Sequence, residues 1–265
     1  MIIGAQLYTV RAYTQNERDF KDTIQCVAQM GYRTVQISGI GSSIRPEKIR
    51  EICDEAGLKI VLTHDNAGAE RILFDTDRLI EEHNILGCDY IGLGGMPEKY
   101  RTPEWLYHFA LDFKEPAKKI SASGKLLMYH NHHFEFGKFC AEGAPDAAPD
   151  KRIIEYLMDW FSPEEMGFTL DTYWVQYGGY DPAAEIRRLS GRIPCVHFKD
   201  MEILSDGEKR YCPVGSGILD FEGILSALEG TGCNVAFIEQ DECFGKDPFV
   251  CLQESLAYLK SLGLR

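Results

Sequence analysis

The feature that most restricts the fold of this chain is an alternation in which a short apolar stretch is followed, each time, by residues with helical spacing. The stretches are IIGAQLYT (2–9), TVQISGI (34–40), KIVLTHD (59–65), YIGLGG (90–95), KLLMYHNH (125–132), MGFTLDT (166–172), IPCVHFKD (193–200) and VAFIEQD (235–241). Each is strand-sized and apolar on both faces, the pattern of a parallel sheet covered on both sides. They recur roughly every 25 to 40 residues, the length of a βα unit. Eight such units in 265 residues match the size of a (β/α)8 barrel. The rival arrangement, an open doubly wound sheet with a nucleotide site, lacks its signals, since neither G-x-G-x-x-G nor G-x-x-x-x-G-K-[ST] follows a strand. The expectation is an α/β fold, a single eight-stranded parallel barrel spanning 1–265, with no Pro/Ser-rich linker to mark a domain boundary.

The intervening helices carry their own start and stop signals. NERDFKDTIQCVAQMGY offers Asn16 as N-cap, acidic residues in the first turn, Phe20, Ile24, Val27 and Met30 at helical spacing, and Gly31 as the stop. RPEKIREICDEAGLKI repeats the scheme with Pro46 near the start and Gly57 at the end. EWLYHFALDFKEPAKKISASGK ends at Gly124, and its Pro116 predicts a kink or break. The segment GKFCAEGAPDAAPD (137–150) reads as a long loop after the fifth strand that could form a lid.

Composition narrows the partners. A formal net charge of −13 repels polyanions, and nucleic-acid binding normally needs a basic patch or stripe. The apolar runs fall far short of the roughly 20 residues of a transmembrane helix. The start, MIIGAQLYTVR, has neither the basic region nor the long apolar stretch of a signal peptide. Nine scattered cysteines without a C-x-x-C pair suit reduced thiols that serve as small hydrophobes. A cytoplasmic protein with a small-molecule substrate, and with no nucleic-acid or membrane partner, is expected; a homo-oligomer is left open.

A barrel of this kind builds its active site at the C-terminal ends of its strands. Polar groups accumulate there: His64 and Asp65, then His130, His132, His133 and Glu135 in YHNHHFEF, Asp171, the run His197, Lys199 and Asp200, and Glu239 to Asp241. A buried imidazole needs a partner at each ring nitrogen, so three histidines within four positions belong at a mouth rather than in a core. The strand period of two puts His130 and His132 on the inward face and leaves His133 exposed. Taken singly, these residues have ordinary explanations, Asp171 as a helix cap and His197 as a satisfied core histidine. Their coincidence at equivalent strand ends points to a shared divalent metal such as Mn2+, Mg2+, Co2+ or Zn2+. Lys199 is placed to stabilise an oxyanion.

The strings YHNHHFEF, FTLDTYWVQYGG, RIPCVHFKDM, VGSGILDFEGIL and FIEQDEC resemble the sugar phosphate isomerase/epimerase group of xylose isomerase-like TIM barrels, and the likeness runs from GAQLYTVR to ESLAYL. It implies one divalent metal held by a Glu, Asp, His, Glu set from strands five to eight. Carried onto this sequence, the Asp is Asp171, the His is His197 and the last Glu is Glu239. The first Glu is assigned to Glu135, because the position within strand five holds His130, and His130 stays open as the alternative fourth ligand. Gln6, Tyr8, His64 and Trp174 are the implied substrate contacts, with His130 and His132 lining the pocket. Gln36 stands where some epimerases have a glutamate.

The implied reaction is isomerisation or epimerisation of a sugar, sugar phosphate or keto-sugar. A metal that chelates a carbonyl and its neighbouring hydroxyl acidifies the C–H between them and stabilises the enediolate. Glu135 and Glu239 form the expected acid–base pair, with His132 or His130 as alternative base. Other readings are a dehydratase or lyase acting on an oxidised sugar or cyclitol, a Schiff-base aldolase with Lys199 as nucleophile, and an auxiliary barrel subunit.

Overall fold

The computed structural model describes residues 1–65 and 68–264. Eight parallel strands close into a barrel in the order β1-β2-β3-β4-β5-β6-β7-β10. They are β1 (Ile2–Gln6), β2 (Thr34–Ser38), β3 (Lys59–His64), β4 (Tyr90–Leu93), β5 (Leu126–His130), β6 (Met166–Asp171), β7 (Cys195–Phe198) and β10 (Val235–Ile238). The two remaining strands, β8 (Asp200–Ile203) and β9 (Lys209–Cys212), form an antiparallel hairpin that the sequence reading did not anticipate. Around the barrel run α1 (Glu17–Met30), α2 (Pro46–Glu55), α3 (Gly68–Phe74), α4 (Thr76–Leu86), α5 (Pro103–Ala122), α6 (Ile153–Trp160), α7 (Thr172–Tyr177), α8 (Pro182–Arg188), α9 (Phe221–Leu228) and α10 (Pro248–Ser261). No described helix is long and apolar enough to cross a membrane.

Local chemistry sets most boundaries. The Asn16 side chain caps α1 by accepting from the Asp19 N–H at 3.0 Å, and Gly31 ends the helix in the left-handed region at φ 107°. The first strand is shorter than its apolar pattern, because the Gln6 side chain accepts from Tyr8 N and the chain turns into a 3-10 segment at Leu7. Of the kink or break expected at Pro116, the break is absent. Helix α5 continues through the proline, held on both sides of it by a buried face of Leu106, Phe109, Phe113, Ala117 and Ile120, and burial of that stripe outweighs the lost backbone hydrogen bond. The 137–150 loop is tied to α6, whose Tyr156 hydroxyl donates to Ala148 O and accepts from Ala148 N.

Strand periodicity divides the barrel interior into layers. Leu62, Met128, Cys195, Val235 and Phe237 form an apolar plug of their own, separate from the larger core between strands and helices. Gly4 makes room for it: a β-carbon there would lie 2.6 Å from the Phe237 ring. Two residues further along the same strands the inward positions turn polar, from Leu62 to His64, Met128 to His130, Cys195 to His197 and Phe237 to Glu239. On β6, Asp171 follows Thr169 in the same way.

Candidate metal centre

The polar layer brings four side chains together. His130, Asp171, His197 and Glu239, all buried, each offer one ligand atom, and these atoms lie within 4.8 Å of one another. Strand pairing sets their heights, since Asp171 is level with His197 across β6 and β7, and His197 with Phe237 just before Glu239. Asp171 serves two ends. Its Oδ1 caps α7 by accepting from Trp174 N at 3.0 Å, while its Oδ2 faces the cluster, 3.2 Å from His130 Nε2 and 3.8 Å from His197 Nδ1.

The outer nitrogen of each clustered imidazole is anchored on an oxygen. His130 Nδ1 lies 3.2 Å from the Gly94 carbonyl, and His197 Nε2 lies 2.6 Å from Gln36 Oε1. An oxygen acceptor fixes the proton on that outer nitrogen, which leaves the inner nitrogen's lone pair directed at carboxylates. Two lone-pair bearers at about 3 Å repel unless a cation stands between them. His197 Nδ1 and Glu239 Oε2 show this arrangement: they approach to 3.0 Å yet lack hydrogen-bond alignment. His130 Nε2 lies 3.2 Å from Asp171 Oδ2, close enough that a shared proton would join them. Burial opposes its charging, but the hydrogen bond and charge of Asp171 prevail and raise its pKa. For His197, burial prevails and lowers the pKa. An outer N–H on an oxygen and an inner nitrogen facing carboxylates is the arrangement by which proteins orient metal-ligating histidines, so this donor set fits a divalent ion.

Glu135, expected as fourth ligand and as an acid–base group, is not part of the cluster. The chain leaves β5 at His130 and enters a short 3-10 turn at Phe134–Phe136. The buried Glu135 carboxylate accepts from the Tyr129 hydroxyl at 2.5 Å and from the His132 backbone N–H at 2.8 Å. Tyr129 belongs to the outward face of β5, against Phe109 and Phe168, which draws Glu135 away from the barrel axis. Burial pushes the Glu135 carboxyl up to about 7. His130 stands in the place expected for it.

Lys199 is fully buried, with Nζ 2.8 Å from Glu239 Oε2, 3.1 Å from Asp171 Oδ2 and 3.1 Å from Asp241 Oδ1. Burial opposes its charge, but these three carboxylates hold its pKa well above the ordinary lysine value. Its backbone is clamped by Thr172, whose hydroxyl accepts from Lys199 N at 3.0 Å and donates to Lys199 O at 2.8 Å.

Above the cluster opens a pocket of about 350 Å³, lined among others by Gln6, Tyr8, His64, His132, Trp174 and Asp241. His132 packs against Trp174 and Phe134, and burial pushes its pKa down to about 3. Its Nδ1 has no hydrogen-bond partner, nor has His64 Nε2. Gly95 admits the His132 ring, since a β-carbon there would lie 2.9 Å from its Cε1. His133 is exposed and packs on Trp174 and Tyr177 outside the pocket lining. The sequence reading notes Gln36 only as a departure from some epimerases and Asp241 only within the acidic run at the end of the eighth strand; it foresees neither their contacts with His197 and Lys199 nor that of Gly94 with His130.

Comparison with known proteins accords with this architecture. The chain belongs to the xylose isomerase-like TIM barrel family, whose profile matches residues 24–262. A sugar phosphate isomerase/epimerase from Parabacteroides distasonis is similar over 97% of each chain, with 22% identity and a TM-score of 0.79. A probable 3-DHS dehydratase, AsbF, from Bacillus anthracis matches 98% of this chain and 99% of its own at 14% identity and a TM-score of 0.72. The IOLI protein, solved with a zinc atom, matches 99% and 98% at 15% identity and a TM-score of 0.70. No match is found among curated proteins.

Proposed function

We propose that this protein is a divalent-metal-dependent isomerase or epimerase of an uncharged keto-sugar. The observation that carries the reading is the pair of imidazoles, His130 and His197, each anchored outward on an oxygen and facing Asp171 or Glu239 inward. His130, Asp171, His197 and Glu239 would hold the ion, which when bound supplies a Lewis acid to polarise a carbonyl and its neighbouring hydroxyl. A zinc atom in the IOLI protein and the isomerase/epimerase name of the Parabacteroides protein support the same reading.

The remaining steps belong to the chain's own groups. His132 takes up the substrate proton at its unpartnered Nδ1, for which a neutral imidazole in a dry pocket is suited. Its backbone N–H, held by Glu135, sets the height of the ring. His64 Nε2 is the second unpartnered imidazole nitrogen lining the pocket, available to return a proton. Lys199 places positive charge beside developing oxyanion character. Bound by three carboxylates it stays an ammonium, which argues against the Schiff-base route. Tyr8 and Trp174 present ring faces to the sugar.

The pocket favours a substrate without phosphate. Lys199 is the one ammonium or guanidinium among the described lining residues, and it is already bound to carboxylates. The Gly-rich 213–219 loop is no phosphate cradle either, because the Asp200 carboxylate accepts its N–H groups at Gly215, Gly217 and Leu219. The test is metal analysis of the purified protein, followed by incubation in D2O with ketoses and keto-sugars and with their phosphate esters. Deuterium next to the carbonyl of the uncharged substrates is expected. A protein free of metal, or exchange confined to the phosphates, would overturn the proposal, and loss of a hydroxyl in the product would reassign it to the dehydratases.

A further inference from the structure

Lys199 and the candidate ion draw on the same two carboxylates. Asp171 Oδ2 and Glu239 Oε2 lie 3.1 and 2.8 Å from the ammonium, and both residues belong to the set that would hold the metal. An ammonium has three protons to donate, and three carboxylates stand within reach. Only the third, Asp241, lies outside the metal set. Both of its oxygens face Nζ, at 3.1 and 3.2 Å. The ammonium is buried and faced by the Trp174 and Tyr211 rings at 5.8 and 5.5 Å.

Resting on the metal-dependent reading above, we propose that Asp241 is a positioning residue that sets the affinity of the centre for its metal, by holding the Lys199 ammonium when a dication takes over Asp171 and Glu239. The pair acts as a built-in counter-cation. Without metal, Lys199 offsets the charge of the two ligand carboxylates. With metal, its charge is balanced by Asp241 and it remains beside the substrate oxygens. Without Asp241, the ammonium would rest wholly on the metal's ligands, and a dication would bind against an unbalanced positive charge.

The experiment is titration of the metal-stripped full chain with MnCl2, read by calorimetry, for the wild type, Asp241→Asn, Lys199→Gln, Lys199→Met and the double variant Asp241→Asn/Lys199→Gln. Asp241→Asn should weaken Mn2+ binding about 10-fold or more, the scale for partners just outside a metal's ligands. Lys199→Gln and Lys199→Met should bind Mn2+ more tightly than the wild type. In the Lys199→Gln background the Asp241→Asn change should have less than about a third of its wild-type effect, because coupled residues are non-additive. Circular dichroism melts verify folding, and Lys199→Gln keeps the test open where the methionine variant fails to fold. An equal loss on Asp241→Asn in both backgrounds would overturn the proposal, as would unchanged affinity in the lysine variants. A wild type that binds no divalent ion would instead overturn the metal-dependent reading itself.

Discussion

The two ends of the barrel interior obey opposite rules. At the lower end Leu62, Met128, Cys195, Val235 and Phe237 fill the space with apolar side chains. Higher up, His130, Asp171, His197 and Glu239, with Lys199 beyond them, crowd charges and imidazoles into an equally buried region. The lower layer meets the ordinary demand for close packing. The upper one leaves His64 Nε2, His132 Nδ1 and His197 Nδ1 without hydrogen-bond partners, which a folded protein tolerates where a ligand supplies what the protein does not. His83, in the helix layer, supplies the control. It is as buried as the site histidines, yet its Nδ1 lies 2.7 Å from Leu79 O and its Nε2 2.8 Å from Thr63 Oγ1. Burial of a histidine does not by itself set a residue apart here; an imidazole nitrogen left facing carboxylates or the pocket does.

That contrast is open to direct attack. Asp171→Ala should remove metal binding and turnover together, and stoichiometric metal in a folded variant would erase the distinction between the layers. Phe237→Ala should instead cost stability, about 3 to 5 kcal/mol in denaturant unfolding, and a smaller loss would mean that the plug collapses around the gap. His83 offers a pH test. Burial pushes its folded pKa down to about 4 from an ordinary 6.5, so the unfolded chain binds the extra proton between these values. The stability it protects is therefore complete above about pH 6.5 and is lost as the pH falls towards 4, by roughly 3 kcal/mol. The stability gap between wild type and His83→Gln should shrink by that amount over the window; a constant gap would show that His83 is not held neutral.

His132→Ala should lower turnover roughly 100-fold, the scale of a general acid or base, with metal occupancy and melting temperature little changed. His133→Ala, one residue further on and exposed, should change turnover by no more than about twofold, in keeping with the small energies of surface substitutions. Equal effects from the two would show that the inward face of this segment has no special part in the chemistry.

The upper layer was legible in the sequence because it depends on local rules. Recurrent strand-sized runs put Asp171, His197 and Glu239 at equivalent strand ends, and a period of two along the fifth strand separated His132 from His133, without knowledge of any partner. What a strand-end pattern cannot determine is where a side chain beyond the strand will point. Glu135 is the preferred fourth ligand on sequence, with His130 as the alternative, but the turn at Phe134–Phe136 carries Glu135 outward to Tyr129, and it is His130 that lies beside Asp171. At Pro116, where the sequence predicts a kink or a break, the helix does not break, for the related reason that packing on a buried face overrides a local preference. The orienting contacts lie beyond sequence reasoning altogether. Gln36 reaches His197 across 161 positions of chain, Gly94 meets His130 across 36, and Asp241 meets Lys199 across 42. Alternation along a strand is a property of neighbouring residues and can be read from them, whereas the state of an imidazole or an ammonium is decided by which oxygens barrel closure brings to it.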